Sequence, residues 1–463
     1  MKLNDWERKI QDNKELSVAI EIIEIIVDIG YDAYIVGGFV RDLMLDIESA
    51  DIDISSNVTE LKLSEFFDII DIGQSKKFGV FVIKYKGFVF EIAQYRSDVY
   101  DEIAGKGADK VKLVQTFKDD AARRDLTINS FGLDYKGNVV DYFGGLYDIE
   151  HKIINTVGSA YDRFEEDYIR MLRCLRFSVK LGFRIHDGVF EAIKDNAHNI
   201  VNVAPERILK ELNKMASLSG SKFADAIELL DESGLLLYIL PEVIWMKPLK
   251  HNLKFHPEGG STVYGHIIEA LRCNNIPNKL INWAILFHDI GKLTSYTKDG
   301  NGHHYYKHHL EAGDIIDSIT HRLKFDNVTR DVCKFVGLNH MVLHDFLKVK
   351  KSVAMRLIDD NNWDVLLQAS YCDSKCRGDD LFSYDEWQRI LDRVESLREW
   401  FKGKQATDAI RKVVNGQMVM RVRPDVKPSP EMGRIIEATV EWVMDNEIDI
   451  EDIQSIEEIM RTV

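Results

Sequence analysis

Two groups of residues in this chain have types and spacings that can do chemistry. Asp51 and Asp53 stand two positions apart, and on a strand that spacing points both carboxylates to one face. Like charges held so close repel, so the pair is stable at neutral pH chiefly when divalent cations neutralise it. Oxygen ligands of this kind suit Mg²⁺, which completes its shell with water and substrate phosphates. Just upstream, the apolar run Tyr34-Ile35-Val36 stops at Gly37-Gly38, whose bare backbone lets N–H groups approach a triphosphate. Arg41 adds a permanent cation, and Glu91, on a later strand, is a candidate third carboxylate.

The second group is rich in histidine. Eleven of the fourteen histidines fall between His251 and His344. Histidine is the commonest metal ligand among side chains, so the clustering points to a metal site. Within it, an apolar helix ends on the adjacent pair His288-Asp289 and continues through Gly291 to Lys292. His266 precedes that pair on a helix and Asp373 follows in a helical context.

Elements must position these groups. Leu16 to Ile29 repeats apolar residues at helical spacing and closes at Gly30, a glycine C-cap. Val80 to Tyr85 and Phe88 to Ile92, separated by Lys86-Gly87, read as a hairpin that carries Glu91. Ser97 to Asp120 is rich in charge and glycine and reads as a mobile loop. Glu165 to Leu181 reads as one helix, with Glu165 and Glu166 at its start. Asp167 and Arg170, three apart, share a face there, and Arg173 follows on the next turn. Ala204 to Leu212 opens a helix with proline in its first turn.

With 463 residues and 45% hydrophobic content, the chain is long enough for about three domains with real cores. Its five cysteines are scattered and odd in number, which predicts reduced thiols and a cytoplasmic protein. No apolar signal core or membrane-length run is present, so a soluble protein is expected. The net charge of −16 argues against a nucleic-acid partner by its sum, but the arginine-rich stretch Arg163 to Arg184 leaves a locally basic surface compatible with RNA.

The segment YIVGGFVRDLMLDIESADID, from Tyr34 to Asp53, resembles the signature of class II template-independent nucleotidyltransferases, the family of CCA-adding enzymes and bacterial poly(A) polymerases. Four further elements resemble that family in order: Arg123-Arg124-Asp125-Leu-Thr-Ile-Asn129, Asp141 to Asp148, Glu166-Asp167-Tyr-Ile-Arg170, and Pro205-Glu-Arg-Ile208. Asp46 and Ser55 depart from the family's usual glycine and threonine. The resemblance implies that Asp51 and Asp53 hold the catalytic metals and that Arg124, Asp125 and Asn129 contact ribose and triphosphate. It further implies that Asp167 and Arg170 select CTP and ATP. A carboxylate accepts from the exocyclic amine of C or A while a guanidinium donates to the neighbouring ring acceptor; U and G present a carbonyl instead.

His266, His288-Asp289 and Asp373 resemble the ligand set of HD-domain phosphohydrolases, with His309 and His340 matching additional histidines and Lys292 placed to hold phosphate or to serve a second metal site. His303, His304 and His308 read as surface residues. Such mixed ligands suit Mn²⁺, Fe²⁺, Ni²⁺ or Co²⁺, with Mg²⁺ also possible, and imply phosphomonoesterase or 2′,3′-cyclic phosphodiesterase activity. The whole resembles bacterial CCA-adding enzymes with a fused HD domain. The expected fold is α+β: a nucleotidyltransferase head over residues 1–150 with a small mixed sheet, a helical neck over 151–250, an all-α HD domain over 251–380 and a helical tail over 381–463. Expected partners are the tRNA 3′ end, CTP and ATP, with no membrane and no obligate protein partner. The alternatives are a poly(A) polymerase or an enzyme adding only CC or only A. From another class, the alternative is an HD phosphohydrolase whose transferase-like half only binds RNA.

Overall fold

A computed structural model describes all residues except 1, 4, 50, 71–78, 100–109, 252–261, 300–301, 379–381 and 401–406. The chain divides into two compact units. One holds residues 1–218, 222–244 and 322–324; the other holds 219–221, 245–321 and 325–463.

The first unit is built on a mixed sheet. Its strands are β1 (Ala33–Val36), β2 (Asp53–Ser56), β3 (Asp68–Ile70), β4 (Val80–Tyr85) and β5 (Phe88–Gln94), joined after a separate hairpin by β8 (Gly132–Leu133) and β9 (Val139–Val140). Across the sheet the order is β3-β4-β5-β2-β1-β8-β9. β2 runs antiparallel to β1 and parallel to β5, in a register that pairs Asp53 with Val36 on one side and Glu91 on the other. That register sets Glu91 beside Asp53. Helix α1 (Lys14–Asp28) forms because Asn13 caps the amide of Leu16 and because Leu16, Ala19, Ile22, Ile23 and Ile26 make one buried stripe. It ends before Gly30, which takes φ +89°. The β4–β5 turn places both Lys86 and Gly87 at positive φ, the two-residue turn whose twist matches a hairpin.

Three elements of the first unit differ from the sequence reading, the first being the strand expected to carry both Asp51 and Asp53: β2 begins at Asp53, and Asp51 precedes it. Ser97 to Asp120 is not all loop: β6 (Arg96–Val99) pairs antiparallel with β7 (Lys110–Leu113), and a helix spans Phe117–Ala122. Backbone pairing overrode the polar composition, and the glycines of this stretch lie outside the described residues. The helix expected from Glu165 is interrupted. One helix, α2 (Ala160–Glu166), ends at Glu166, Asp167 adopts extended backbone with φ −160°, and α3 begins afterwards (Ile169–Leu181). The Asp167 side chain accepts from the Ile169 amide at 3.3 Å, a local turn that competes with the helix. Glu165 and Glu166 therefore close one helix and do not open the next. α4 (Pro205–Ala216) starts with proline at its first turn, as its sequence predicts, and packs along α3.

Among its described residues the second unit is helical apart from one antiparallel pair of strands, Tyr296–Asp299 with Gly302–Tyr305, which the all-α expectation lacked. Its main helices are α5 (Val263–Arg272), α6 (Lys279–Phe287), α7 (His308–Leu323), α8 (Asn327–His344) and α9 (Trp363–Lys375). α6 is apolar nearly all round and lies against α5, α8 and α9, the burial expected of a helix without a polar face. Beyond it, helices at Tyr384–Trp400 and Pro430–Asp445 fall where periodicity predicts them, with others at Thr407–Val413, Gly416–Val422 and Ile453–Thr462.

Candidate active sites

In the first unit a cavity of about 900 Å³ gathers Gly37, Gly38, Arg41, Asp51, Asp53, Glu91, Arg124, Asp125, Asn129, Asp167, Arg170 and Arg173. Gly37 sits at φ +77° and ψ −143°, backbone essentially restricted to glycine. A Cβ there would lie 3.5 Å from Arg124 Nη1 and 3.9 Å from Asp53 Oδ2, so the glycine keeps the floor of the cavity open. Burial raises the pKa of Asp53, and Glu91 and Asp51 raise it further against the pull of Arg124. The three carboxylates thus crowd one another, a set of oxygen donors that suits a hard divalent cation.

Several cations of this cavity are already engaged. Arg41 is buried; its Nε and Nη2 donate to Asp42 at 2.7 and 2.6 Å and its Nη1 to Asn129 Oδ1 at 2.5 Å. It stacks on Phe177. Its charge is therefore balanced within the protein, and its role is to fix Asn129. Arg124 donates to Asp120 Oδ2 and to the Asn129 carbonyl, which holds it beside the Gly37 corner. Asp125 accepts from Arg173 Nε at 2.5 Å. Burial alone would raise the Asp125 pKa, but Arg173 overcomes it and the carboxyl stays far below the usual range. Asp167 accepts from Arg207 Nη2 at 2.6 Å, while Arg170 pairs with Glu166 at 2.9 Å and donates to the Arg123 carbonyl at 3.1 Å. Asp120, Arg207 and Phe177 were not singled out in the sequence, and Glu166 was read there only as an acid at a helix start. Arg207 lies within a recognised element, but its partner forty positions away is visible only in the fold.

In the second unit six buried side chains converge. His266, His288 and Asp373 offer ligand atoms within 4.8 Å of one another, as do Asp289, His308 and His340. The two triads adjoin: His288 Nε2 lies 3.4 Å from Asp289 Oδ2 and 3.9 Å from Asp373 Oδ1. The imidazoles are oriented by hydrogen bonds on their far side. Nδ1 of His288, His308 and His340 meets the carbonyls of Ile285, Tyr305 and Gly337 at 2.7, 3.0 and 2.9 Å. A carbonyl accepts, so each Nδ1 carries a proton and Nε2 is the ring atom that faces the cluster. His308 Nε2 and His340 Nε2 face each other at 3.0 Å, an approach that needs a proton or a cation between them. Burial and the neighbouring His288 push His340 down to about 3, so it is a neutral imidazole. Burial works against ionisation of Asp289 and Asp373, yet Lys292 and His288 hold Asp289, and His266 and His344 hold Asp373, well below the usual carboxylate range. Imidazoles beside ionised carboxylates are a donor set that suits a divalent transition metal.

The structure corrects one assignment. His309 lies off the cluster, and its neighbour His308, expected at the surface, is 6% exposed and belongs to it. The reason is helix phase: His308, Ala312, Ile316, Ile319 and Leu323 form the buried stripe of α7, whereas His309 falls on the next face. That stripe was readable in the sequence. His303 and His304 stand on the hairpin and line, with Arg377, Tyr305 and Trp387, a cavity of about 610 Å³ over the cluster. Lys292 is bonded to Asp289 and lines the same cavity. The Cys376 thiol donates to the Asp373 carbonyl at 3.2 Å and lies 3.5 Å from His266 Nδ1, leaving sulfur to accept from that ring nitrogen.

Comparison with known proteins gives the first unit a context. Residues 33–155 match the family described as "Poly A polymerase head domain", and residues 182–246 match "Probable RNA and SrmB- binding site of polymerase A". Among curated proteins, the CCA-adding enzyme of Lactobacillus johnsonii (strain CNCM I-12250 / La1 / NCC 533) is 36% identical over 244 residues, 52% of this chain and 59% of that protein. This chain thus spans about three fifths of that relative. The match to the CCA-adding enzyme of Lactococcus lactis subsp. cremoris (strain MG1363) is 27% over 454 residues, 97% of each chain. Among solved structures, the fold is similar to that of the Bacillus stearothermophilus CCA-adding enzyme in complex with CTP, with a TM-score of 0.70, 24% identity and coverage of 96% and 98% of the two chains. The CCA-adding enzyme of Geobacillus sp. (strain WCH70) is 31% identical over 361 residues, 74% of this chain and 87% of the relative, and with that extent of likeness the chain belongs to the family of CCA-adding enzymes.

Proposed function

We propose that the first unit transfers CMP and AMP units from CTP and ATP to the 3′ end of tRNA, releasing pyrophosphate and building or repairing the CCA terminus. The observation that carries this reading is the joining in one cavity of Asp51, Asp53 and Glu91 with Asp167 and Arg170. Metal-binding carboxylates and base-reading groups meet there without a template. Asp51 and Asp53 would hold Mg²⁺, which lowers the pKa of the attacking 3′-hydroxyl and neutralises charge on the departing pyrophosphate. Arg124, held by Asp120, would meet the triphosphate, and Asn129, held by Arg41, would contact the ribose. Asp167 accepts from the exocyclic amine of C or A and Arg170 donates to the adjoining ring nitrogen. The names of relatives and structural neighbours support the reading, among them a Thermotoga maritima CCA-adding enzyme complexed with tRNA ending in CCA. The test is incorporation on tRNA lacking its 3′ end with CTP alone, ATP alone and both. Two C and one A are expected, with Asp51→Ala and Asp53→Ala reducing the rate by more than about a thousandfold. Uptake of neither nucleotide overturns the reading; long A tracts on generic RNA favour a poly(A) polymerase.

For the second unit we propose a metal-dependent phosphohydrolase of the HD type, supported by the convergence of His266, His288, Asp289, His308, His340 and Asp373. His266, His288, Asp289 and Asp373 would hold one divalent ion, and Asp289, His308 and His340 the place of a second. A bound ion supplies Lewis acidity toward a phosphoryl oxygen. Lys292 and Arg377 line the cavity as cations for the phosphate. Hydrolysis of p-nitrophenyl phosphate and of 2′,3′-cyclic nucleotides by metal-loaded protein is expected; loss of neither activity in His288→Ala would place the hydrolysis elsewhere.

A further inference from the structure

We propose that Arg207 is a positioning residue for nucleotide choice: it clamps one oxygen of Asp167 so that this carboxylate can only accept from a base. The inference rests on the transferase reading of the same cavity. Asp167 is not on a helix. Its extended backbone between two helices leaves the carboxylate torsion broad and roughly two-fold, so neither helix fixes the plane of its oxygens. Two contacts do: Oδ2 accepts from Arg207 Nη2 at 2.6 Å, and Oδ1 accepts from the Ile169 amide at 3.3 Å. Arg207 itself comes from the first turn of α4, set by Pro205 at the helix start, and it lines the same cavity. The companion selector is tethered in the same manner, Arg170 to Glu166 and to the Arg123 carbonyl. Both selectors are thus gripped by protein groups, and the lone pairs left on Asp167 address the base.

The consequence concerns the wrong nucleotides. U and G put a carbonyl where C and A carry an amine. A clamped carboxylate repels that carbonyl. Released from Arg207, the carboxylate can swing aside and admit a water, which donates to a carbonyl as readily as it accepts from an amine. Discrimination then falls more than catalysis does.

The experiment measures kcat and KM of the full chain for CTP, ATP, UTP and GTP on tRNA lacking its 3′ end, for the native protein, Arg207→Ala and Arg207→Lys. We expect Arg207→Ala to lower the CTP:UTP and ATP:GTP ratios of kcat/KM by tenfold or more, chiefly through KM for CTP and ATP. Arg207→Lys should recover part of that loss, since an ammonium supplies the charge without the fork. Equal losses for all four nucleotides, or unchanged ratios, would overturn the role of Arg207 and leave the transferase standing. If Arg207→Ala fails to fold, the ratio in Arg207→Lys decides: native discrimination there sinks the proposal and a severalfold fall sustains it. Native protein that incorporates neither CTP nor ATP would instead remove the transferase reading beneath it.

Discussion

His308 and His309 are chemically identical neighbours, and only one can reach the cluster, because successive helical residues diverge by about 100°. His308→Ala should remove a ligand and lower bound transition metal, read by elemental analysis, together with phosphatase rate by at least about tenfold. His309→Ala should leave both near native values. Cys376 belongs in the same comparison. Its sulfur lies 3.5 Å from His266 Nδ1, and partners of that kind typically tune affinity by about 10- to 100-fold. Cys376→Ala should therefore weaken metal binding in a chelator competition, while Cys376→Ser retains most of it. Asp46 shows the reverse relation of residue to position. It stands at φ +52°, which explains why glycine is usual there, and an ion pair from Lys9 at 2.5 Å offsets the strain.

The packed helices Ile169–Leu181 and Pro205–Ala216 carry the selecting groups, and a buried ion pair stitches them together. Arg176 Nε meets Glu211 Oε2 at 2.5 Å, with the side chains 9% and 6% exposed. Removing the acid strands a buried guanidinium, a loss of about 3–5 kcal/mol; Glu211→Ala should show it as faster hydrogen exchange of the Pro205–Ala216 amides. Burial raises the Glu211 pKa, but Arg176, Arg173 and Lys214 outweigh it, so its folded value lies below 4.5. A carboxyl depressed in the folded state contributes stability that is complete above the unfolded pKa and is lost as pH falls through the folded one. Acidification below about 4.5 should therefore loosen these helices in the native protein, and Glu211→Gln should flatten that part of the profile. The break at Asp167 takes its backbone out of the helix, and its side chain lines the cavity.

Among the described residues, those lining the cavity of about 900 Å³ all lie in one compact unit and the six converging histidines and aspartates all lie in the other. Single substitutions should therefore separate the activities. Asp53→Ala should abolish nucleotide incorporation while phosphate hydrolysis continues within about twofold, and His288→Ala should do the opposite; both are read on one preparation of each variant. A chelator should stop both reactions, with Mg²⁺ restoring incorporation and a transition metal restoring hydrolysis. Metal that binds only the folded second unit raises its unfolding midpoint by mass action, about 2.7 kcal/mol when the free ion is a hundredfold above Kd.

The sequence by itself determined which residue types were present and which local element each would occupy. The Gly37-Gly38 corner, Asp53 on its strand, the Lys86-Gly87 turn and Pro205 at a helix start depend on short-range sterics and periodicity, which the chain carries along its length; Asp51, expected on the same strand as Asp53, precedes that strand. It also held, unread, the apolar stripe that chooses His308. Other features needed the folded chain: the register that sets Glu91 beside Asp53, the extended Asp167, the pairing of Arg41 with Asp42 and Asn129, and the grip of Arg207. These are contacts between residues up to 88 positions apart. Their geometry follows from how strands and helices pack, and no local pattern encodes which partner a guanidinium will meet.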